Sequence, residues 1–349
     1  MNDSIQCVIV GAAGYTGAEL AHLLANHPSV QIAGIFGSDR RAAEGDPLLS
    51  TLFPKLRGVV DLPVRAASVE AILACQPQAV FLCTPHEVSA GLAPSLVAAG
   101  VVVLDLSAAF RLRDASAYDK HYGFTHPHPE LLASAVYGLP EFNREQLIGA
   151  DLIACPGCYP TSVVLALKPL VDAGLIRVDR PVIVDSASGV SGAGRSPTAK
   201  NQFCEVSFQP YNPLNHRHQP EMRQETGCTV LFTPHLLPLD RGILSTIHAE
   251  LNDEVTADDL RACLLQAYAG EPFVRLLPVG EWPGIANVQH TNFCDLALTV
   301  DRATNHVLVV SALDNLLKGA SGQAVQCLNA RFGLPESTGL HATAVEHAR

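Results

Sequence analysis

The sequence predicts an α/β protein of two domains, an N-terminal Rossmann-like, doubly wound parallel sheet followed by a mixed α+β domain. Three observations support this fold class. The length of 349 residues suits two cores better than one. Apolar runs alternate with helical patterns up to about Ala150, and short β-rich runs separated by polar loops follow.

The first element is a strand, a glycine turn and a helix. An apolar run over 6–10 is followed by three glycines in the pattern Gly-x-x-Gly-x-x-Gly and then by leucines at helical spacing. A glycine turn before a helix N-terminus favours the pyrophosphate of a dinucleotide, although a glycine-rich connection that binds nothing is the alternative. The residues predicted to bind the cofactor here are Gly11, Gly14, Tyr15, Thr16 and Gly17.

The second strand, predicted over 30–36, ends in a segment that bears on the choice between NAD and NADP. Ser38, Arg40 and Arg41 supply hydroxyl and guanidinium donors for a 2'-phosphate, which favours NADP. Asp39 would instead suit the free hydroxyl of NAD. An ordinary solvated loop is the alternative for the arginine pair.

The remaining elements follow the same periodicity. We expect strands over 79–83 and 101–106, with a helix over 88–99 between them. In the second half we expect strands over 182–185, 229–232, 243–251, 296–300 and 307–310, and a final helix over 320–330.

The run Cys155-Pro-Gly-Cys158-Tyr-Pro indicates a nucleophile. A helix is predicted to start near Pro160 and to bend or end early at Pro169. A thiol at a helix N-terminus is activated by the dipole, and N–H groups of the turn are expected to hold an oxyanion. Cys158 is therefore the predicted nucleophile, with a redox pair between Cys155 and Cys158 as the competing interpretation.

A thiolate that attacks an acyl group needs a proton donor and acceptor beside it. The polar segment around residues 215–221 contains His216, His218 and Glu221. We prefer His218 as the acid/base because Glu221 follows it by three residues, on the same face of a helix. His216 remains the second candidate, and both His216 and Glu221 are predicted to lie in the substrate site. A solvated basic loop is the alternative for the whole cluster.

Composition excludes several classes of function. A net charge of −11 disfavours nucleic acid and anionic membranes as partners. The ten cysteines show no zinc-finger spacing, so we expect no metal, and most of them, such as Cys7 and Cys327, are expected to be inert core residues. No apolar stretch reaches the roughly 20 residues of a membrane span, and the first residues have no secretory pattern, so we expect a cytoplasmic protein.

Six motifs in order resemble those of the N-acetyl-gamma-glutamyl-phosphate reductases, a family related to aspartate-semialdehyde dehydrogenases. The similarity extends essentially from end to end. It is carried by the stretches at 11–17, 156–161, 188–195, 216–221, 241–246 and 314–319.

The resemblance implies a dinucleotide-binding domain over 1–157 that is completed by 315–349, and a catalytic α+β substrate and oligomerisation domain over 158–314. It implies NADPH/NADP as the cofactor and a homodimer or homotetramer. It also implies that Cys158 accepts the acyl group, that His218 is the acid/base, and that Gly189 and Asn315 lie near the nicotinamide.

The expected reaction is reduction of an acyl phosphate, N-acetyl-L-glutamyl 5-phosphate, to its semialdehyde in arginine biosynthesis, through a thioester on Cys158. Arg111 and Arg195 are the predicted cationic partners of the phosphate and of the substrate carboxylate, with surface ion pairs as their alternative. An aspartyl-phosphate or N-acetylaminoadipyl-phosphate reductase would use the same chemistry. A noncatalytic NADPH or redox sensor is the alternative from a different class.

Overall fold

The computed structural model describes residues 4–38, 45–199 and 201–340. The chain divides into two compact units: the first runs to Pro156 and takes up the chain again at Ala320, and the second comprises Gly157–Gly319. Residues 315–319, assigned by the sequence to the first domain, lie in the second unit. The physical reason is that the Asn315 side chain hydrogen-bonds to Gly242 and Ser191 of that unit.

The first unit is built on a seven-stranded sheet in which the recorded pairings are parallel. The strand order is β3-β2-β1-β4-β5-β7-β6, so the chain moves outward on one side of β1 and returns on its other side with β4. The strands are β1 Ile5–Val10, β2 Val30–Gly37, β3 Val64–Ala66, β4 Ala79–Leu82, β5 Val102–Asp105, β6 Val136–Tyr137 and β7 Leu152–Ala154. The predicted doubly wound sheet is confirmed, and its switch point lies between β1 and β4.

Helices connect these strands in the first unit. They are α1 Tyr15–Ala25, α2 Leu49–Leu52, α3 Val69–Leu73, α4 His86–Ala98, α5 Ser116–Tyr122, α6 Pro129–Leu132, α7 Pro140–Ile148 and, from the end of the chain, α12 Gly322–Arg331. A short 3-10 turn occupies Pro54–Leu56. The central strands β4 and β5 are buried along their whole length, as expected for parallel strands covered on both faces.

The second unit is built on a seven-stranded mixed sheet of order β12-β13-β14-β11-β8-β10-β9. Parallel pairings join β8 to β10 and β12 to β13, and the other recorded pairs are antiparallel. The strands are β8 Val182–Gly189, β9 Gln209–Pro210, β10 Val230–Leu237, β11 Ile243–Glu250, β12 Val274–Leu276, β13 Cys294–Asp301 and β14 His306–Leu313.

Among the described residues of this unit, helices cover one face of the sheet, and the opposite face, called here the open face, is partly exposed along β10 and β11. The helices are α8 Cys158–Asp172, α9 Gln219–Thr226, α10 Ala257–Ala267 and α11 Ile285–Val288. Helix α8 packs on β11 and β14 and is flanked by α9 and α10. Alternate residues of β10 and β11 are buried and partly exposed, which is the pattern of a sheet with one covered face.

Pro169 lies inside α8 but does not end it early, because the helix continues to Asp172. Proline has no N–H, so the Leu165 carbonyl loses the donor that a helix would supply four residues later. The hydroxyl of Tyr268, at the end of α10, donates a hydrogen bond to this carbonyl. A side chain from a neighbouring helix thus replaces the missing main-chain donor.

The last helix also begins differently from the prediction over 320–330. A π-helical turn covers Leu317–Ser321, and α12 starts only at Gly322. Within the ranges that the structure describes, no helix is long and apolar enough to cross a membrane.

Candidate functional site

The glycine turn after β1 is shaped for a close approach of backbone to backbone. Gly11 has φ of +90°, and a Cβ there would lie 2.3 Å from the Cys83 carbonyl oxygen at the end of β4. A Cβ on Gly17 would lie 2.5 Å from the Gly11 carbonyl oxygen. Neither position accepts a side chain, so these glycines are required by the turn itself.

The same turn presents the N-terminus of a helix at the switch point of the sheet. Gly14 is the N-cap of α1, Tyr15 is 39% exposed and Thr16 is half-buried. Main-chain N–H groups and the positive end of the helix dipole are concentrated there. This arrangement fits the pyrophosphate of a dinucleotide, because the free N–H groups and the positive dipole end of a helix N-terminus bind anions.

The predicted 2'-phosphate contacts lie directly after β2. Ser38 is exposed, one residue beyond the end of that strand. Arg40 and Arg41 lie outside the described residues, as does Asp39. The roles of Ser38, Arg40 and Arg41 stay predictions.

Arg111, predicted to contact substrate, is buried in the first unit and bonded to the main chain. Its Nε donates to the Cys155 carbonyl at 2.7 Å and its Nη2 to the Leu106 carbonyl at 2.8 Å. Asp105, at the end of β5, is fully buried, and burial raises its pKa while the Arg111 charge opposes that rise. Arg111 thus braces the chain just before the cysteine turn, and its contact with substrate stays a prediction.

Cys158 is the first residue of the 15-residue helix α8, slightly earlier than the start expected near Pro160. Its N-cap, Gly157, accepts hydrogen bonds at its carbonyl from the main-chain N–H of Thr161 at 2.9 Å and from the Thr161 hydroxyl at 3.0 Å. Cys158 is half-buried, whereas Cys155 and Cys7 are buried. Burial raises the pKa of Cys7 to about 12, as expected for an inert core thiol.

Glu221, in the first turn of α9, holds the turn that precedes Cys158. Its Oε1 accepts a hydrogen bond from the Gly157 N–H at 2.8 Å, and its side chain is fully buried. The Gly157 N–H is therefore occupied, and the expectation that N–H groups of the turn hold an oxyanion does not extend to this one.

His216 and His218 both pack against Tyr159, the residue next to Cys158. The ring centroids lie 5.6 Å and 6.0 Å from that of Tyr159, and the two imidazoles lie 4.8 Å from each other. Both histidines are 7% exposed, and His218 is the N-cap of α9. The structure thus brings the whole predicted histidine cluster to the first turn of α8.

His216 is held neutral with one ring nitrogen already occupied. Its Nδ1 accepts the main-chain N–H of His218 at 3.1 Å, which requires that nitrogen to be unprotonated. Burial, with the Arg217 charge in addition, lowers the pKa of His216 to about 4. These two facts disfavour His216 as the group that exchanges a proton near neutral pH.

Gly189 and Asn315, placed near the nicotinamide by resemblance, hold two loops together. A Cβ on Gly189 would lie 2.6 Å from the Arg241 main-chain nitrogen. Asn315 accepts the Gly242 N–H at 2.6 Å and donates to the Ser191 hydroxyl at 2.9 Å. Arg195, half-buried, follows the 3-10 turn Val190–Ala193, and its role stays a prediction.

A buried ion pair, which sequence reasoning did not single out, lies beside these loops. Arg241 Nε lies 3.1 Å from Asp314 Oδ2, and Asp314 is fully buried at the end of β14. The Asp314 Oδ1 atom also accepts the N–H of Leu316 at 2.8 Å. The sequence signal that could have indicated this ion pair is a charged residue, Asp314, directly after an apolar strand. The pair anchors the turn that leads to Gly319.

Gly319 lies directly against the predicted nucleophile. A Cβ at this position would be 2.8 Å from the Cys158 Cβ and 3.3 Å from the Asp314 carbonyl oxygen. No group of three or more metal-ligating side chains occurs among the residues that the structure describes. Cys158 thus lies at a helix N-terminus whose N-cap is bonded to a buried carboxylate, and the next residue, Tyr159, packs against two imidazoles.

Two family models match the chain: the NAD binding domain of semialdehyde dehydrogenase over residues 6–150, and its dimerisation domain over 158–315. Among curated proteins, the chain is 48% identical to N-acetyl-gamma-glutamyl-phosphate reductase of Tolumonas auensis over 338 residues, covering 96% of this chain and 99% of the relative. The protein of that name from Escherichia coli K12 is 48% identical over 336 residues, with the same coverage.

Solved structures of similar fold have much lower sequence identity. Aspartate semialdehyde dehydrogenase II from Vibrio cholerae, complexed with ASA, matches with a TM-score of 0.71 and 20% identity over 95% of this chain and 99% of its own. Aspartate semialdehyde dehydrogenase with NADP from Candida albicans matches with a TM-score of 0.70 and 16% identity over 94% and 98%. At this identity the similarity establishes the fold.

Proposed function

The chain belongs to the N-acetyl-gamma-glutamyl-phosphate reductase family, and from this premise we propose that it reduces N-acetyl-L-glutamyl 5-phosphate to N-acetyl-L-glutamate 5-semialdehyde and phosphate in arginine biosynthesis. It is an NADP-dependent, phosphorylating semialdehyde dehydrogenase. The observation that supports this function best is Cys158 at the N-terminus of α8, with Glu221 on its N-cap and two imidazoles against its first turn.

Cys158 is the proposed nucleophile. The dipole of α8 stabilises a thiolate at its first residue, and the thiolate attacks the acyl carbon of the substrate while phosphate leaves. The product of this step is a thioester, which accepts hydride far more readily than a carboxylate. After reduction, collapse of the hemithioacetal releases the aldehyde and restores the thiolate.

His218 is the proposed acid/base that gives a proton to the developing oxygen and takes it back in the reverse direction. His216 is less suited because its Nδ1 is occupied and its pKa of about 4 keeps it neutral. The His216 ring packs against His218 and against Tyr159. We therefore propose that His216 positions the His218 imidazole and does not itself exchange protons.

NADPH supplies the hydride when bound. In the first unit, Gly11, Gly14 and Gly17 with the adjoining Tyr15 and Thr16 would hold its pyrophosphate, and the close approaches around Gly11 and Gly17 support this assignment. Ser38, Arg40 and Arg41 are proposed for the 2'-phosphate, and Gly189 and Asn315 for the nicotinamide half.

Cationic groups are needed for the phosphate and the substrate carboxylate. Arg195 remains the proposed partner in the second unit. Arg111 remains the proposal for the first unit, although its bonds to two carbonyls commit part of its guanidinium to the main chain. We further propose a homodimer or homotetramer and a cytoplasmic location.

The assay that tests this function follows NADP reduction with N-acetylglutamate semialdehyde and phosphate, and repeats it with NAD and with aspartate semialdehyde. Phosphate-dependent NADP reduction with the acetylated substrate alone is the expected result. Turnover with aspartate semialdehyde alone would retain the mechanism and change the substrate. An absence of turnover with both, despite NADPH binding, would favour a sensor.

A further inference from the structure

We propose that Glu221 is a positioning residue, which acts through the main-chain N–H of Gly157 and thereby holds the Cys158 thiol in its reactive geometry. The inference rests on the proposed function and adds a role for a residue that sequence reasoning placed beside substrate or behind an imidazole. Its required property is an oxygen at the correct reach, rather than a negative charge.

Burial distinguishes Glu221 from a carboxylate that binds substrate. Glu221 has no exposed surface in the second unit. A carboxylate that contacts substrate must reach an opening, whereas this one ends on a main-chain donor that is itself buried, at 2.8 Å. The hydrogen bond joins positions 64 residues apart, so it ties α9 to the start of α8.

The hydrogen bond from Gly157 to Glu221 lies at the N-cap of α8. Gly157 is the N-cap of α8 and Cys158 is its first residue, so the Gly157 main chain sets the direction in which the thiol leaves the helix. The Gly157 carbonyl is held by the N–H and hydroxyl of Thr161. Glu221 holds the N–H of the same residue, and both polar groups of the N-cap are therefore bonded.

The nucleophile, Cys158, has little room to move. Its Cβ lies where a side chain on Gly319 would be only 2.8 Å away. A small rotation of the Gly157 peptide would change the contact with Gly319 and the alignment of the thiol with the helix axis. Misplacement of a reacting group by about 1 Å costs on the order of 100-fold in rate.

Two substitutions separate reach from charge. Glu221→Gln keeps an acceptor oxygen at the same distance and removes the charge, whereas Glu221→Asp keeps the charge and withdraws the oxygen by one methylene. We expect Gln to retain kcat within about threefold. We expect Asp, and likewise Glu221→Leu, to lose about 10- to 100-fold in kcat and in kcat/KM together, as for a lost buried hydrogen bond to a charged group.

A second readout does not depend on the substrate. Alkylation of Cys158 by iodoacetamide, followed by mass spectrometry of its peptide with the exposed Cys204 as internal reference, reports thiol reactivity. We expect alkylation to slow about tenfold in the Glu221→Asp and Glu221→Leu variants. In the Glu221→Gln variant it should be at least as fast as in the wild type, because removal of a nearby negative charge favours the thiolate. Glu225, buried on the same helix, provides the matched controls Glu225→Gln and Glu225→Asp, which should change neither readout.

Higher activity in the Glu221→Asp variant than in the Glu221→Gln variant would overturn the proposal, because the charge of the side chain and not its length would then be required. Wild-type behaviour of all three variants would overturn it equally. The comparison of Gln with Asp decides the matter even if the Leu variant fails to fold. A wild-type protein without turnover on N-acetylglutamate semialdehyde would instead contradict the proposed function, and the alkylation series would still test Glu221.

Discussion

Cys158 differs from the core cysteines in its surroundings rather than in its chemistry. It is half-buried at the N-terminus of α8, whereas Cys155 is buried and its main chain is bonded to Asp105 and Arg111. A buried cysteine whose main chain is fixed on both sides is poorly placed to serve as a resolving thiol. The covalent mechanism is therefore favoured over a redox pair.

Replacement of the nucleophile gives the most direct test at this scale. Cys158→Ser should lose reductive activity by at least about 1,000-fold, because a serine hydroxyl lacks an activated anionic form at neutral pH. The substitution should leave NADPH affinity unchanged, since Cys158 is not among the residues proposed to hold the cofactor. Steady-state rates and fluorescence titration of NADPH measure the two effects. A variant that kept most of its rate would exclude the thioester.

The two histidines should respond differently to the same replacement. His218→Asn is expected to slow both directions of the reaction by about 100-fold and to remove a limb from the pH–rate profile, as for loss of a general acid/base. His216→Asn should slow the reaction less and leave that limb in place, because a group with a pKa of about 4 is neutral on both sides of pH 7. The reverse pattern would identify His216 as the acid/base.

At the scale of elements, the turn between β14 and α12 has a steric role. The Asp314 side chain and carbonyl bond successive N–H groups of this turn, and Gly319 is thereby brought against Cys158. π-Helical turns are uncommon and often occur at functional sites. The turn therefore belongs to the support of the nucleophile.

Gly319→Ala tests that role. The added methyl group would lie 2.8 Å from the Cys158 Cβ, so either the thiol or the turn must shift. We expect kcat to fall at least about tenfold, in line with the sensitivity of reacting groups to small displacements. Gly91→Ala, in the middle of α4 with open space around it, is the control and should leave kcat unchanged. Equal rates in both variants would contradict the steric role.

The hydrogen bond that compensates for the proline inside α8 can also be tested. Tyr268→Phe removes the donor that serves the Leu165 carbonyl and should lower the free energy of unfolding by about 1–3 kcal/mol. In a Pro169→Ala background the restored N–H can bond that carbonyl, so the same change should cost at least about 1 kcal/mol less. Urea denaturation of the four proteins in this cycle measures the coupling. Strictly additive effects would show that the hydroxyl does not replace the proline donor.

At the scale of the whole molecule, the open face of the second sheet is the expected subunit interface. The family model for residues 158–315 describes a dimerisation domain. Ile183, the second residue of β8, is 46% exposed, although isoleucine is usually buried. An exposed isoleucine on this face is accounted for if a partner subunit covers it.

Ile183→Arg should therefore shift the protein to a smaller assembly, because a guanidinium would be buried without a partner. Light scattering coupled to size-exclusion chromatography measures the mass. Ile148→Arg is the matched control: this isoleucine is 59% exposed at the end of α7 in the first unit, and its replacement should leave the mass unchanged. An unchanged mass for Ile183→Arg would move the interface elsewhere.

The sequence by itself determined the features that are local along the chain. The strand, glycine turn and α1 follow one another directly, and Cys158 with its glycine and proline neighbours marks the start of α8 within a few residues. Such features depend on backbone dihedrals, glycine clearance and helix periodicity, which short segments specify. The doubly wound sheet follows from the order of those segments.

Tertiary structure alone decided which distant groups meet. Glu221 bonds Gly157 rather than simply facing His218, Arg241 pairs with Asp314, and Tyr268 supplies the donor missing at Pro169. The neutral state of His216 likewise arises from burial among residues of other elements. Buried polar groups must each find a partner, and that partner is set by the packing of whole helices and strands rather than by spacing along the chain.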